Sequence, residues 1–285
     1  MKKDLIIIGA SGLLGSMLRI CALENDKWNI HSVSLRGVSP DLLSISRALG
    51  EWPAGTIIIN AAAVKWRPGR HNSLVDLDFV NSRLPHMLAT ICIQNDWWLV
   101  QTSTDGVFSG KKGSYSENDE ADATDLYGIS KIRGEPFERA LVLRQSFFGP
   151  ELSDHKSLMG WLAKNKGGKV IGYRNHVWQG LTSLALSRTL LQIIEQQDSM
   201  AGLFHIFSPE PISKGILLRE IATCFSWDIE VELVDAVEKV DRSMRSEHCL
   251  ISDLAIPSMK EQLIELHKFV TLHASYYPKY LPILA

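Results

Sequence analysis

The sequence lacks several features that mark particular classes of protein. Only four of its 285 residues are cysteines, and no two of them form a Cys-x-x-Cys pair. This spacing argues against a zinc site or a redox-active dithiol, so we expect reduced thiols and no metal. No apolar run approaches the roughly 20 residues that span a bilayer. The apolar run near the N-terminus is too short for a signal peptide. We therefore expect a cytoplasmic protein without a membrane partner.

A strong net charge is also absent. The chain has 30 Lys and Arg against 32 Asp and Glu, a formal charge of -2. It therefore has no electrostatic reason to bind nucleic acid. Hydrophobic residues make up 45% and charged residues 22% of the chain, as in ordinary globular proteins. The length suffices for one elaborated domain or two lobes, and a homodimer is the assembly we consider.

At its N-terminus the chain has a short apolar run followed at once by glycines. The run Leu5–Ile8 shows no alternation, as expected for a strand buried on both faces. A strand, a Gly-x-x-Gly-x-x-Gly loop and a helix allow main-chain N–H groups to receive a pyrophosphate. We therefore predict dinucleotide binding at this loop. Its predicted contacts are Gly9, Ser11, Gly12, Leu13, Leu14 and Gly15.

A further absence bears on the choice of dinucleotide. In NAD-preferring sites an acidic residue near the end of the second strand bonds the ribose 2′-hydroxyl. The second predicted strand, Asn29–Leu35, has no acid there and is followed by Arg36. A guanidinium pairs well with a 2′-phosphate, so we predict NADPH, with NADH as the other cofactor considered. The competing interpretation of Arg36 is a solvated surface residue.

The third predicted strand, Thr56–Ile59, ends in a segment of small residues. Asn60, Ala61 and Ala62 would lie at a carboxyl end of the sheet, where ligands of open α/β folds bind. Small side chains there let a backbone approach a cofactor, and packing against a neighbouring helix is the competing interpretation. The next segment, 64–72, is basic and aromatic. It is either a loop that contacts an anionic substrate or a solvated turn.

The stretch after the next predicted strand, Trp97–Thr102, carries the residues most suited to catalysis. Ser103 and Thr104 provide hydroxyl groups, and Tyr127 precedes Lys131 by four residues. On a helix this spacing places the phenol and the ammonium on one face. A phenol has a pKa of about 10 in water, and a neighbouring cation favours the phenolate. The competing interpretation is a solvated helix face.

Strands and helices alternate up to about residue 150, which predicts an α/β fold. The pattern is that of a Rossmann-type, doubly wound parallel sheet. We assign residues 1–150 to an NAD(P)-binding domain, to which later segments at about 176–207 return. Residues 151–285 are assigned mainly to a smaller, partly interleaved α/β lobe that binds substrate.

Four motifs in order, GASGLLG, IINAAA, QTSTDGVFSGKKGSYSE and YGISKIRGE, resemble those of the extended short-chain dehydrogenase/reductase superfamily. The resemblance is to its dTDP-4-dehydrorhamnose reductase branch of sugar-nucleotide reductases, and it is good over about the first 150 residues. It implies a catalytic triad of Thr104, Tyr127 and Lys131. In this family the tyrosine and lysine also contact the cofactor.

The resemblance further implies an NADP(H)-dependent reduction of a nucleotide-activated 4-keto-6-deoxy sugar. Hydride would reach the C4 carbonyl, Tyr127 would supply the proton, and the product would serve surface polysaccharide synthesis. Three departures fall where the substrate is expected: Gly106 in place of the usual tyrosine, the basic segment 64–72, and the segment 172–183. Candidate substrate contacts, several of them equally open to a structural role, are Thr104, Asp105, Phe147, His176, Trp178 and Gln179.

Two other functions are compatible with the same motifs. The first is a sugar-nucleotide epimerase or dehydratase with bound NAD. Dehydratases carry an acidic pair after the catalytic hydroxyl, whereas here Asp105 is followed by Gly106. The second is a non-catalytic, dinucleotide-binding regulatory subunit resembling that of methionine adenosyltransferase. The intact set of Thr104, Tyr127 and Lys131 weighs against it.

Overall fold

The structure is a computed structural model, and it divides into two compact units. It describes residues 2–65, 73–136, 138–153, 156–197, 199–248 and 254–281. Unit 1 comprises Met1–Phe108, Glu120–Gln145 and Leu191–His205. Unit 2 comprises Ser109–Asp119, Ser146–Leu190 and Ile206–Ala285. Helix α7 (Ser183–Gln196) contains the point at which the chain passes from one to the other.

Unit 1 is built on a six-stranded sheet with the order β10-β5-β4-β3-β1-β2. The pairings from β2 through β5 are parallel, which confirms the predicted Rossmann-type α/β class. The strand order reverses between β1 and β3, and ligands of such sheets bind at the carboxyl ends beside this point. The strands are β1 (Lys3–Ile8), β2 (Trp28–Val33), β3 (Ile57–Asn60), β4 (Trp98–Thr102), β5 (Ala140–Gln145) and β10 (Gly202–Ile206).

The apolar runs of these strands form the core of unit 1. Leu5–Ile8 are almost completely buried, because helices cover both faces of the central strands. One face packs against Ile45 and Leu49 of α2 and Leu88 of α4. The helices of this unit are α1 (Leu13–Asn25), α2 (Leu42–Leu49), α3 (Leu74–Asp78), α4 (Leu84–Asn95) and α5 (Leu126–Arg133).

Between α3 and α4 the chain forms one turn of π-helix, Phe79–Arg83. The sequence predicts one helix over residues 76–95 that Pro85 kinks or divides. The structure divides this stretch into α3, the π turn and α4, with Pro85 in the first turn of α4. The wider π turn contains Asn81, which is completely buried. Single π turns of this kind occur frequently at functional sites.

Unit 2 contains small sheets and helices. Strand β8 pairs with β11 antiparallel and with β13 parallel, while β7 pairs with β12 and β6 with β9. Its strands are β6 (Phe147–Phe148), β7 (Gly168–Tyr173), β8 (His176–Trp178), β9 (Leu181–Thr182), β11 (Ile212–Ser213), β12 (Ile229–Val234) and β13 (Val240–Asp241). Its helices include α6 (Leu158–Ala163), α8 (Lys214–Cys224) and α9 (Met259–Leu272). Within the described ranges, no helix has the length and apolar character needed to cross a membrane.

Candidate active site

The glycine loop joins β1 to α1 at the carboxyl edge of the sheet. Gly9 has a φ of +81°, and the N–H of Gly12 donates to the carbonyl of Gly9 at 2.9 Å. Helix α1 begins at Leu13, and no side-chain hydrogen bond caps its N-terminus at Gly12. The first N–H groups of a helix have no intrahelical acceptors, and the helix dipole favours negative charge there. Residues 9–13 are accessible to solvent, so this end is open to an anion.

Two of the glycines are required because main-chain segments approach closely. A Cβ on Gly9 would lie 2.8 Å from the N of Ala62, and one on Gly15 would lie 2.2 Å from the O of Gly9. The contact brings the small residues after β3 against the glycine loop. Asn60 lies beneath them, where its amide donates to Gln101 of β4 at 2.8 Å. The open helix end and the small residues beside it fit a dinucleotide.

Arg36 lies in the turn that follows β2, and its side chain is exposed. Strands β1 and β2 are parallel, with Ile8 opposite Val33, so Arg36 is at the same edge of the sheet as the glycine loop. Gly37, with a φ of +77°, turns the chain immediately after it. The contact of Arg36 with a 2′-phosphate stays a prediction.

The catalytic candidates lie at the ends of two elements of unit 1. Thr104 caps a short 3₁₀ helix after β4, and its Oγ1 accepts a hydrogen bond from the N–H of Gly106 at 3.1 Å. Asp125 caps α5 by accepting from the N–H of Gly128 at 3.0 Å. Tyr127 is therefore the second residue of α5, and Lys131 follows one turn later on the same face.

The two hydroxyl candidates have different partners. Ser103 Oγ donates to Glu135 Oε1 at 2.5 Å, and the carboxylate of Glu135 also accepts two hydrogen bonds from Arg144. Ser103 is thereby part of a buried ionic cluster. Thr104 Oγ1 donates to Asp105 Oδ1 at 3.3 Å, and it faces the ring of Tyr127 across Gly106, where an added Cβ would lie 3.3 Å from Thr104 Oγ1 and 3.6 Å from Tyr127 Cε1. The geometry favours Thr104 as the hydroxyl that works with the phenol.

The pKa of Tyr127 differs from the sequence-based expectation. Burial raises the pKa of its hydroxyl to about 12, a hydrogen bond with Thr104 lowers it, and the charges of Asp105 and Asp125 raise it further. The expectation of a net lowered pKa, with Lys131 favouring the phenolate, is therefore wrong for this structure. Desolvation is the largest of these effects, because it disfavours the charged phenolate. At neutral pH Tyr127 keeps its proton and is an acid.

Lys131 is buried, and its Nζ donates to the main-chain carbonyl of Thr102 at 2.7 Å. Burial lowers the pKa of its ammonium to about 8, and the charge of Glu135 opposes this shift. Lys131 therefore carries its charge at neutral pH but loses it within the range in which enzymes are assayed.

A chain of hydrogen bonds connects the π turn to α5. The amide of Asn81 donates to Ser130 Oγ at 3.0 Å, and Ser130 Oγ donates to the carbonyl of Tyr127 at 2.7 Å. Asn81 belongs to none of the motifs, so this role in supporting α5 was not predicted from the sequence. The second glycine of YGISKIRGE, Gly134, is the residue that permits this contact. A Cβ on Gly134 would lie 1.8 Å from the main-chain O of Asn81.

The other substrate candidates lie in unit 2. Trp178 donates to Ser146 Oγ at 2.7 Å, and Gln179 donates to the carbonyl of Ser208 at 2.9 Å. Phe147 is half-buried at the start of β6, and His176 is half-buried at the start of β8. These contacts show structural roles for two of the four, and their binding of substrate stays a prediction. In the basic segment, residues 66–72 lie outside the described residues.

Comparison with known proteins places this site in a family. The chain is 26% identical to the probable low-salt glycan biosynthesis reductase Agl14 of Haloferax volcanii over 257 residues, 83% of this chain and 85% of the relative. It is 24% identical to methionine adenosyltransferase 2 subunit beta of Danio rerio over 251 residues, 79% of this chain and 74% of the relative.

Among solved structures, the chain matches dTDP-4-dehydrorhamnose reductase from Bacillus anthracis in complex with NADP. The TM-score is 0.77 at 19% identity, covering 96% of this chain and all of the other. The family model described as "RmlD substrate binding domain" matches residues 1–274. The resemblance drawn from the motifs is confirmed. The chain belongs to the RmlD substrate binding domain family.

Proposed function

We propose that the protein is an NADPH-dependent reductase of a nucleotide-activated 4-keto-6-deoxy sugar, similar to dTDP-4-dehydrorhamnose reductase. Its product would be a precursor for surface polysaccharide. Family membership supports a sugar-nucleotide reductase as the class. The curated relative in Haloferax volcanii is named a probable reductase of glycan biosynthesis, which supports the same reaction type.

The observation that carries the proposal is the environment of Tyr127. Its ring and the hydroxyl of Thr104 meet at Gly106, where an added Cβ would lie 3.6 Å from Tyr127 Cε1 and 3.3 Å from Thr104 Oγ1. Lys131 lies one turn along the same helix. Thr104 follows β4, a strand of the sheet whose β1 ends in the glycine loop. The proposed proton donor, the hydroxyl of Thr104 and the glycine loop would thus lie near the carboxyl ends of one parallel sheet, the position expected for a ligand site.

The chemistry of the reduction follows from this arrangement. As negative charge develops on the carbonyl oxygen, Thr104 donates a hydrogen bond to it and Tyr127 donates its proton. A phenol with a pKa of about 12 is a weak acid. The alkoxide that it protonates is a far stronger base than a phenolate, comparable to hydroxide. The transfer from Tyr127 is therefore favourable.

The same residues are suited to hold the cofactor, for which we propose NADPH. When bound, the nicotinamide supplies the hydride, which is chemistry that side chains cannot provide. The glycine loop and the start of α1 would hold the pyrophosphate, Arg36 the 2′-phosphate, and Lys131 the nicotinamide ribose. A solved relative of the same fold is described in complex with NADP, which supports this choice.

The test is a panel of dTDP-, UDP-, GDP- and CDP-linked 4-keto sugars, assayed by oxidation of NADPH and NADH. We expect one nucleotide class to be reduced, faster with NADPH. Tyr127→Phe should lower kcat at least about 100-fold, because general acid catalysis contributes that much. Tyr276→Phe, an exposed tyrosine of unit 2, is the matched control and should keep the wild-type rate. Full activity of Tyr127→Phe would contradict the assigned proton donor.

A second function is favoured by one observation, the match to methionine adenosyltransferase 2 subunit beta. As a regulatory subunit the chain would bind a dinucleotide and a partner enzyme without turning over a sugar. A stoichiometric complex with a methionine adenosyltransferase, together with no oxidation of NADPH on any sugar of the panel, would select this function. Turnover of one sugar nucleotide would select the reductase.

A further inference from the structure

Lys65 brings a second lysine to the catalytic tyrosine. It follows the small residues after β3, and its ammonium lies over the ring of Tyr127, 5.4 Å from the ring centroid. Lys65 is exposed, whereas Tyr127 is half-buried. A cation over an aromatic face is attracted by the negative potential of the ring.

The backbone beside Lys65 is tied to the helix that carries Tyr127. The N–H of Val64 donates to Asn81 Oδ1, and Asn81 Nδ2 donates to the carbonyl of Val64, both at 2.8 Å. The same amide donates to Ser130 Oγ, which in turn donates to the carbonyl of Tyr127. Asn81 and Ser130 are buried. The position of Lys65 is therefore set by a hydrogen-bonded chain that ends at the catalytic residue.

Two carboxylates near Tyr127 oppose the formation of a phenolate, and a nearby cation would counteract them. Asp105, in the turn after β4, and Asp125, at the start of α5, both disfavour a phenolate. Lys131 shares the helix face of Tyr127, but its ammonium donates to a main-chain carbonyl of β4. Lys65 approaches the ring from the segment after β3. Of these four charged groups, it is the one that lies over the face of the ring.

We propose that Lys65 is a positioning residue for proton transfer, holding positive charge against the phenolate that Tyr127 becomes. The inference rests on the proposed reductase function. In that step the O–H bond of Tyr127 breaks and an O–H bond forms on the former carbonyl oxygen, while hydride from the dinucleotide supplies the electron pair. The phenolate charge spreads into the ring, so a cation over the ring stabilises the phenolate more than the phenol.

The first arm of the test measures the ionisation of Tyr127 without substrate or cofactor. The six tyrosines are replaced by 2,3,5-trifluorotyrosine, whose phenol ionises several pH units below that of tyrosine, so that Lys65 is charged at the midpoint. The ¹⁹F resonances of residue 127 are identified by their loss in Tyr127→Phe. Lys65→Met should raise the midpoint of these resonances by about half to one pH unit. Lys65→Arg keeps the charge and should keep the midpoint.

The matched control is Lys268→Met, an exposed lysine of α9 that changes the net charge equally. It should leave the midpoint at the wild-type value. An unchanged midpoint in Lys65→Met would overturn the proposal. An equal shift in Lys268→Met would also overturn it, because the effect would then belong to net charge.

The second arm measures turnover of the sugar nucleotide identified by the panel. Lys65→Met should lower kcat about three- to tenfold while KM changes less than about twofold, and Lys65→Arg should restore most of the rate. A raised KM with unchanged kcat would make Lys65 a substrate contact and overturn the proposal. Because the first arm needs no turnover, an inactive wild-type protein would count against the proposed function alone.

Discussion

At the scale of single residues, one physical cause acts on both members of the proposed catalytic pair, Tyr127 and Lys131. Burial raises the pKa of Tyr127 to about 12 and lowers that of Lys131 to about 8, because it disfavours the charged form of each. The pair is therefore prepared for donating a proton, with a neutral phenol beside an ammonium. An anionic dinucleotide beside Lys131 would favour the ammonium further and counteract its desolvation.

The first prediction concerns the pH dependence of cofactor binding. The folded-state pKa of Lys131 lies near 8, below its ordinary value of 10.5, so the folded chain loses this proton as pH rises through 8. Affinity for NADPH should be full below pH 8 and fall about tenfold by pH 9.5, about 1.4 kcal/mol for one charge contact. Fluorescence titration of NADPH checks this.

The matched variant for this prediction is Lys131→Met, whose affinity for NADPH should be low and nearly independent of pH.

In the wild type, the free energy of unfolding should change with pH in the opposite direction to the affinity for NADPH. Between pH 8 and 10.5 the unfolded chain keeps a proton that folded Lys131 has lost, so this group makes the free energy of unfolding rise with pH. An affinity that stayed constant to pH 9.5 in the wild type would remove Lys131 from the cofactor site.

The second prediction concerns Arg36 and the choice of dinucleotide. Arg36 is exposed, so its replacement should leave the fold unchanged. Arg36→Ala should raise the KM for NADPH about tenfold or more, because a paired 2′-phosphate contributes charge-assisted hydrogen bonds of about 1.5–3 kcal/mol. The KM for NADH should hardly change. Equal effects on the two cofactors would show that Arg36 is an ordinary surface residue.

At the scale of elements, a buried ion pair fastens the end of α5 to the sheet. Arg144 of β5 binds Glu135 through two hydrogen bonds of 2.9 and 2.8 Å, and Ser103 donates to the same carboxylate. Both charged side chains are less than a tenth exposed. Arg144→Met should lower the free energy of unfolding by about 3–5 kcal/mol, because it leaves a carboxylate buried without its cation. Urea denaturation measures the change.

The control for this pair is an ion pair on the surface of unit 2. Arg188 bonds Glu265 at 2.6 Å, and both side chains are about half exposed. Arg188→Met should lower the free energy of unfolding by no more than about 1 kcal/mol. The double variant Arg144→Met with Glu135→Gln should recover part of the loss, since no buried charge remains. Similar losses for Arg144→Met and Arg188→Met would refute a special role for the buried pair.

The elements differ in how far the sequence could predict them. The strand–glycine–helix unit and the helix of Tyr127 were predictable, because local patterns specify both. The π turn and the contacts of Asn81 were not, because they depend on the close approach of α5, which Gly134 permits. The raised pKa of Tyr127 was also missed. Burial of the phenol is a property of tertiary packing, whereas the spacing to Lys131 is local.

At the scale of the whole molecule, the two units predict which segments each ligand should protect from amide exchange. Every predicted cofactor contact belongs to unit 1, while Phe147, Trp178 and Gln179 belong to unit 2. At a hundredfold excess over its Kd, NADPH should stabilise the state that binds it by about 2.7 kcal/mol. We therefore expect amide exchange to slow in β1, β3 and β4, and to stay unchanged in β7 and β12.

Adding the sugar nucleotide to the NADPH complex should then slow exchange in β6, β8 and the segment between β8 and β9. Mass spectrometry of peptides after exchange separates these segments. Arg36→Ala serves as the control. At the same NADPH concentration it should show less protection of unit 1 than the wild type. At saturating NADPH, the response of its unit 2 to the sugar nucleotide should be unchanged. Equal protection of β1 and β7 by NADPH alone would contradict the assignment of every cofactor contact to unit 1.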